Sequence, residues 1–171
     1  MAKIIILRGN SGSGKTTIAK ELQKKFGHGT MLISQDVVRR EMIYVKDRPD
    51  NKAVDLLSAL IVFAKKNCDI TILEGILSAD IYWRLFHTIA EIYTNNIYAY
   101  YFDIPFEETI KRHSQKPNAN DFGEPQMRGW WKEKDFLPNI TEKTINEIMS
   151  KEDILDYIYN DFLGSCTPIG K

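Results

Sequence analysis

The segment at residues 9–16 constrains the fold of this 171-residue chain more than any other part of its sequence. It reads Gly-Asn-Ser-Gly-Ser-Gly-Lys-Thr and matches the pattern G-x-x-x-x-G-K-[ST] in full. An apolar, β-branched run at residues 4–7 precedes it and is typical of a strand buried on both faces. An amphipathic helical pattern follows at residues 15–26. This order of strand, loop and helix predicts a phosphate-binding loop.

Each residue type in this loop has a chemical reason to be there. Glycines let successive backbone N–H groups turn inward onto phosphate oxygens, and the helix that follows presents its positive end to the same anion. We predict that Lys15 is catalytic through its charge on the β- and γ-phosphates, and that the Thr16 hydroxyl is a ligand of Mg²⁺. ATP and Mg²⁺ are the expected cofactors. The predicted nucleotide contacts are Gly9, Asn10, Ser11, Gly12, Ser13, Gly14, Lys15, Thr16 and Thr17.

The rest of the chain alternates strand-type and helix-type patterns, which favours a parallel sheet covered on both faces. We therefore predict an α/β fold of three layers, α/β/α, as in the nucleoside-kinase-like P-loop NTPases, with a mostly parallel five-stranded sheet. Ligands of such sheets bind beyond the carboxyl ends of the strands. The predicted strands after the first lie at 31–33, 70–73, 97–102 and 143–145, and the predicted helices after the first at 36–43, 51–66, 80–94, from 105 onward and 150–162.

Length and composition limit the function classes. A chain of this length predicts a single domain at residues 1–163, with a flexible tail at 164–171. The 23 basic and 23 acidic residues balance, which argues against a mainly electrostatic nucleic-acid coat. No apolar run approaches a membrane span, and two cysteines without a CxxC pattern suggest a reducing environment. We expect a cytoplasmic protein without membrane contact.

Asp36 is the candidate general base. It follows the second predicted strand, so its carboxylate is expected at the carboxyl edge of the sheet, near the phosphates. There it can accept the proton of an acceptor hydroxyl that attacks the γ-phosphorus. Arg39, three residues later, is expected to bind an anionic or polyhydroxylic acceptor, whereas Arg40 is expected to face solvent. A helix-capping role for Asp36 is the alternative, and it is compatible with catalysis.

Glu74 ends the third predicted strand, which is the position of an acid that holds a Mg²⁺-bound water. Binding of the acceptor hydroxyls is a second role for this carboxylate, and a solvated carboxylate at a strand end is the alternative. The sequence does not separate these roles.

Residues 113–134 are predicted to form a mobile, basic lid over the phosphates. Arg112 and Arg128 are its candidate catalytic arginines, because a guanidinium can bridge two phosphate oxygens. The alternative is a solvated basic surface. Trp130 and Trp131 are expected to dock a short helix to the body of the domain rather than to stack on a base.

Together these segments resemble a known group of proteins. The glycine-rich loop, the Asp36–Val–Val–Arg39 element, the strand that ends in Leu–Glu–Gly, and the stretch Phe-Asp-Ile-Pro-Phe-Glu-Glu-Thr-Ile-Lys-Arg at 102–112 are similar to P-loop kinases grouped with polynucleotide kinase, zeta toxin, chloramphenicol phosphotransferase and gluconate kinase. The resemblance covers about residues 1–162. It implies Lys15 and Thr16 on ATP·Mg²⁺, Asp36 as base, Arg39 on the acceptor, and Arg112 and Arg128 as lid arginines. Lys116 stands where polynucleotide kinase has an arginine.

The leading hypothesis is an ATP-dependent kinase that phosphorylates a hydroxyl of a small molecule, such as a sugar, nucleoside, nucleotide-sugar or antibiotic. Phosphorylation of a 5′-hydroxyl of RNA or DNA is the alternative, supported by Arg39 and by the net charge of +5 over residues 1–60. A nucleotide-dependent switch or partner-binding ATPase is the hypothesis from another class.

The near-match to a guanine-binding N-K-x-D at residues 51–55 is interpreted as a helix start. The acceptor, the preference for ATP over GTP and the oligomeric state stay open.

Overall fold

The computed structural model describes residues 1–115 and 123–164. Its centre is a five-stranded sheet in the order β2–β3–β1–β4–β5, and every neighbouring pair is parallel. This confirms the predicted mostly parallel sheet of an α/β P-loop fold. The strands are β1 (Lys3–Gly9), β2 (Thr30–Ser34), β3 (Ile70–Gly75), β4 (Ile97–Phe102) and β5 (Glu142–Ile145).

Six helices connect and cover these strands in the described part of the chain. They are α1 (Lys15–Phe26), α2 (Lys52–Asn67), α3 (Trp83–Tyr93), α4 (Phe106–Ser114), α5 (Glu124–Trp130) and α6 (Lys151–Gly164). Between β2 and α2 lies a π-helical turn, Val37–Met42, which ends with a hydrogen bond from the Ile43 N–H to the Val38 carbonyl. Such wide turns are rare and often occur at functional sites.

The sheet separates two hydrophobic cores, which explains the uninterrupted apolar pattern of β1. Ile4 and Ile6 pack in the core that includes residues of α2 and α3, whereas Ile5 and Leu7 pack in the core that includes residues of α1 and α6. All four side chains are fully buried. Because side chains alternate along a strand, only a strand with helices on both sides needs apolar residues at every position.

Two helix starts are fixed by side chains near the sequence positions where helices were expected. The Asn51 carboxamide oxygen accepts a hydrogen bond from the Ala53 N–H at 2.9 Å and caps α2. The interpretation of residues 51–55 as a helix start is therefore confirmed. Ser150 and Asp153 form a capping box, with bonds of 3.0 and 3.1 Å between the side chain of each and the backbone N–H of the other.

Parts of the predicted lid and tail lie outside the described residues. Residues 116–122 of the lid, with Lys116, and residues 165–171 of the tail belong to these parts. Within the predicted lid, helix α5 begins at Glu124. Among the described helices, none combines the length and apolar character needed to cross a membrane.

Candidate active site

Glycine is required at several positions of the loop between β1 and α1. Gly12 has φ +81°, and Gly14 has φ +99°, a left-handed conformation that side chains disfavour. A Cβ on Gly12 would lie 2.7 Å from the Thr109 carbonyl oxygen, so helix α4 packs directly on the loop backbone. The loop thus brings its backbone close to α4 as it leads into the first turn of α1, where N–H groups can bind an anion.

Lys15 is held over this loop. Its side chain is almost fully buried, and Nζ donates hydrogen bonds to the Asn10 carbonyl at 2.7 Å and to the Ser13 hydroxyl at 2.9 Å. Both acceptors belong to the phosphate-binding loop. The ammonium group is therefore positioned beside the backbone amides that would face the phosphates.

Glu74 connects the ends of β2 and β3 to helix α1. One carboxylate oxygen accepts a hydrogen bond from the Thr16 hydroxyl at 3.0 Å, and the other accepts one from the Ser34 hydroxyl at 2.5 Å. Ser34 and Glu74 are paired in the register of β2 and β3, which explains why they meet. A buried carboxylate with two hydroxyls is a set of hard oxygen donors, the type that Mg²⁺ prefers. The residues present therefore fit this ion.

Asp36 lies in the same cleft as Lys15, Thr16 and Glu74. Its carboxylate accepts from Arg39 Nη2 at 3.1 Å and from Arg40 Nε at 3.2 Å, and the side chain stays half exposed. The side-chain capping bond that was the alternative for Asp36 is not formed to the described turn. The structure thus brings the predicted base, lysine and hydroxyl together at one edge of the sheet.

A second cavity of about 480 Å³ adjoins this cleft, and Ile76 lines both. Arg40 is exposed, as expected, and it also lines this cavity. The charged and aromatic residues that line the cavity are Arg39, Arg40, Lys46, Asp47, Lys132, Trp130 and Trp131.

The two predicted lid arginines have different surroundings. Arg112 donates from Nη1 to the Ser13 carbonyl at 3.2 Å and from Nε to Glu108 at 2.9 Å, so it lies against the phosphate-binding loop. The bond from Arg112 lowers the pKa of Glu108. The Arg128 guanidinium pairs with Glu124 at 2.9 Å and lies 4.2 Å from the centre of the Phe106 ring. The structure brings Arg112 to the loop, whereas Arg128 is mostly exposed on α5.

The adjacent tryptophans also differ. Trp131 packs its edge against Phe106 with ring centres 5.0 Å apart, which docks the end of α5 to α4 as expected. Trp130 keeps 44% of its surface exposed and lines the second cavity.

Asn10 has a role that the sequence analysis did not assign. Its carboxamide donates to the Lys132 carbonyl at 2.7 Å and accepts from the Lys132 N–H at 3.0 Å. Position 10 is variable in the motif, so the pattern alone does not predict this contact. Ser34 was also missed, although a hydroxyl at the end of a strand beside the predicted acid was an available signal.

A comparison with protein families assigns the chain. A family model described as an AAA domain matches residues 4–130. The chain belongs to the AAA domain family. The match covers the phosphate-binding loop, Asp36, Glu74 and helices α4 and α5 of this AAA domain. No curated protein matches the sequence.

Solved structures show the same fold in kinases. A gluconokinase from Sinorhizobium meliloti is 11% identical, with a TM-score of 0.65 over 95% of this chain and 93% of that one. The APS kinase of Mycobacterium tuberculosis, solved with AMPPNP and APS, is 17% identical. Its TM-score is 0.60, and the match covers 95% of this chain and 98% of that one. A shikimate kinase from Acinetobacter baumannii, solved with shikimate, is 16% identical. Its TM-score is 0.61, and the match covers 98% of this chain and 96% of that one. The AAA domain therefore has the fold of P-loop kinases.

Proposed function

We propose that this chain is an ATP-dependent kinase that transfers the γ-phosphoryl group to a hydroxyl of a small molecule. The observation that carries the proposal is the Asp36 carboxylate, which lines the same cleft as Lys15 and Thr16 and pairs with Arg39 and Arg40, two residues that line the second cavity. A nucleotide and an acceptor can therefore approach each other beside a base. Two kinases of the same fold are named with a small acceptor in their structures, shikimate and APS.

The chain's own residues supply most of the chemistry. An Asp36 carboxylate oxygen accepts the proton of the acceptor hydroxyl while the oxygen of that hydroxyl forms a bond to the γ-phosphorus. The bond from that phosphorus to the β–γ bridging oxygen breaks, and ADP leaves with the electron pair. Lys15 and the loop amides bind the β- and γ-phosphates, and Arg112, at the edge of the loop, is positioned to neutralise the charge on the transferred group.

Thr16 and Glu74 are the residues that would hold Mg²⁺, Thr16 through its hydroxyl and Glu74 directly or through a water. When bound, the ion neutralises charge on the β- and γ-phosphates. Ser34 keeps the Glu74 carboxylate oriented toward Thr16 through its 2.5 Å hydrogen bond.

The test is the variant Asp36→Asn, which keeps the size of the side chain and removes its basicity. We expect the transfer rate to fall by about 10²-fold or more, whereas the Kd for ATP changes by less than about twofold. Glu41→Gln is the matched control, because Glu41 is an exposed carboxylate on the same turn. The readout is ADP release with a panel of sugars, nucleosides, aminoglycosides and oligonucleotides, together with calorimetry of ATP binding.

Three results would count against this proposal. Asp36→Asn with undiminished transfer would exclude Asp36 as the base. ATP hydrolysis that no hydroxyl compound in the panel accelerates would favour the nucleotide-dependent switch instead. Transfer to oligonucleotides alone would favour the polynucleotide kinase.

A further inference from the structure

The second cavity has a positive wall that the proposed phosphoryl transfer does not itself require. Three cationic side chains, Arg39, Arg40 and Lys46, enter it from the turn after β2 and the segment that follows. Lys132, which follows α5, also lines the cavity. Against these four, one carboxylate, Asp47, lines the cavity. The lining therefore attracts an anion.

Asp47 is held by neutral donors rather than by these cations. It accepts hydrogen bonds from the Tyr82 hydroxyl at 2.7 Å and from Gln35 Nε2 at 3.2 Å. Burial raises the pKa of Tyr82, and the bond to Asp47 raises it further, so Tyr82 stays a proton donor at neutral pH. The carboxylate is thus fixed to the wall without an ion pair to any described cation of the cavity.

Two cations of the lining, Arg39 and Lys46, keep donor atoms or charge that no described carboxylate meets. Arg39 and Arg40 share the single carboxylate of Asp36, and Arg39 Nε is buried without a hydrogen-bond partner among the described residues. Lys46 is exposed and forms no ion pair with any residue that the structure describes. Lys132 does have a carboxylate, Asp80, at 2.5 Å. Among the described contacts, Arg39 and Lys46 are therefore the cations of the lining that keep capacity for an anion, and Arg40 lines the cavity beside them.

The cavity also has an apolar side and a limited size. Ile76, Ile81 and the half-exposed indole of Trp130 line it, and its volume of about 480 Å³ falls in the range of small-molecule sites. An acceptor that fills it would contact both the apolar side and the cations.

We infer that the acceptor is a small anionic alcohol: a compound with a transferable hydroxyl and at least one phosphate, sulfate or carboxylate group. This inference rests on the proposed kinase function. The anionic group binds at Arg40 and Lys46, and the hydroxyl lies toward Asp36. Arg39 and Arg40 then serve both ends of the molecule, because the guanidinium groups that contact Asp36 also line the cavity.

Binding of matched pairs tests the inference without turnover. The pairs are gluconate and glucose, glycerol 3-phosphate and glycerol, and nucleoside 5′-monophosphates and their nucleosides. Each is titrated by calorimetry into the protein with Mg²⁺ and a non-hydrolysable ATP analogue. We expect at least one charged member to bind about tenfold or more tightly than its neutral partner, with a difference that shrinks as salt rises. Equal affinities in every pair, or no binding by any charged compound, would overturn the inference.

Variants locate the anion. Lys46→Gln and Arg40→Gln should each lower the affinity for the preferred charged compound about five- to tenfold. The affinities for its neutral partner and for ATP should stay unchanged. Lys66→Gln, the same change at an exposed lysine near the end of α2, is the control and should alter nothing. Unchanged affinity for the charged compound in both cavity variants would contradict the assignment.

The failures of the two proposals are distinguishable. If neutral alcohols are phosphorylated as well as charged ones and Lys46→Gln has no effect, the kinase stands and the anionic acceptor is wrong. If charged compounds bind in a Lys46-dependent way but no phosphoryl group is transferred, the anion site stands and the kinase is wrong.

Discussion

Arg8 is a fully buried arginine in the central strand β1, and two carboxylates meet its charge. Nη1 pairs with Glu142 and Nη2 with Asp135, both at 2.9 Å, and Nε donates to the Leu77 carbonyl at 3.0 Å. Burial raises the pKa of Glu142, and the charge of Arg8 acts in the opposite direction. One side chain therefore connects β1 to β5 and to the segment that follows α5.

Removal of this arginine should destabilise the protein strongly. Arg8→Met leaves the Glu142 and Asp135 carboxylates without a cation, and breaking a buried pair in this way costs about 3–5 kcal/mol. We expect urea denaturation to show this loss, and Arg8→Met/Glu142→Gln to recover part of it. Lys24→Met, which breaks an exposed pair with Glu21, is the control and should leave the midpoint nearly unchanged. An unchanged midpoint in Arg8→Met would contradict the role of the cluster.

Gly12 and Gly29 differ in the space that a side chain would have. A Cβ at Gly12 would meet the Thr109 carbonyl, whereas a Cβ at Gly29 would meet nothing within 4 Å, although φ is positive at both. Gly12→Ala should therefore weaken binding of an ATP analogue about tenfold or more, because the loop or α4 must move. Gly29→Ala should cost about 1–2 kcal/mol of stability and leave nucleotide affinity unchanged. Calorimetry and thermal unfolding of both variants measure the two effects, and equal nucleotide affinities would show that the contact is unimportant.

At the scale of elements, Asp161 ties α6 to two strands. Its carboxylate accepts from the Tyr100 hydroxyl of β4 and from Lys143 Nζ of β5, both at 2.5 Å. Burial alone would raise the pKa of Asp161, but the bonds from Lys143 and Tyr100 together outweigh it and lower the pKa. A lowered pKa means that the contact stabilises the fold above the unfolded pKa and is lost as pH falls through the folded pKa.

The expected consequence is a pH-dependent effect of Asp161→Asn. At pH 7 the variant should be about 1–2 kcal/mol less stable than the native protein, because a charged acceptor becomes neutral. The difference should shrink when pH falls below 3.8, the ordinary pKa of the group. Urea denaturation at pH 7 and pH 3 measures it. A difference that is the same at both pH values would mean that the charge of Asp161 does not contribute.

Local sequence patterns predicted most of the strands and helices, and they predicted where several residues of the candidate site lie. The strands, the loop at residues 9–16 and the positions of Asp36 and Glu74 follow from periodicity and from the geometry of parallel sheets. The ion pair between Arg40 and Asp36 could have been predicted, since the two residues stand four apart on one turn. The partners of Arg8, and the placement of Lys46 and Lys132 around one cavity, could not have been predicted, because these residues are distant in sequence and only tertiary packing brings them to the same place.

At the scale of the molecule, the fold neutralises the charge asymmetry of the sequence. Residues 1–60 carry a net charge of +5 and the remaining residues −5. Ion pairs join the two parts, among them Arg8 with Asp135 and Glu142, and Lys25 with Asp156. Part of the excess of basic residues in the first part is therefore paired with carboxylates within the protein. Several cations lie together in the lining of the second cavity.

This distribution predicts weak electrostatic binding of nucleic acid. A single-stranded oligonucleotide should show a slope of log K against log[salt] of magnitude below about 2, because few phosphates can be neutralised at once. Fluorescence anisotropy between about 50 and 200 mM salt measures the slope. Inorganic polyphosphate of similar length is the control for non-specific attraction. A slope several times steeper would contradict the prediction and favour the polynucleotide kinase.

The paired bonds between the Asn10 carboxamide and the Lys132 backbone join the loop between β1 and α1, where we propose the nucleotide binds, to a residue that lines the second cavity. Thermodynamic linkage then sets a rule for the order of events. If the nucleotide shifts this contact when it binds, it changes the affinity for the acceptor, and the acceptor must change the affinity for the nucleotide by the same factor.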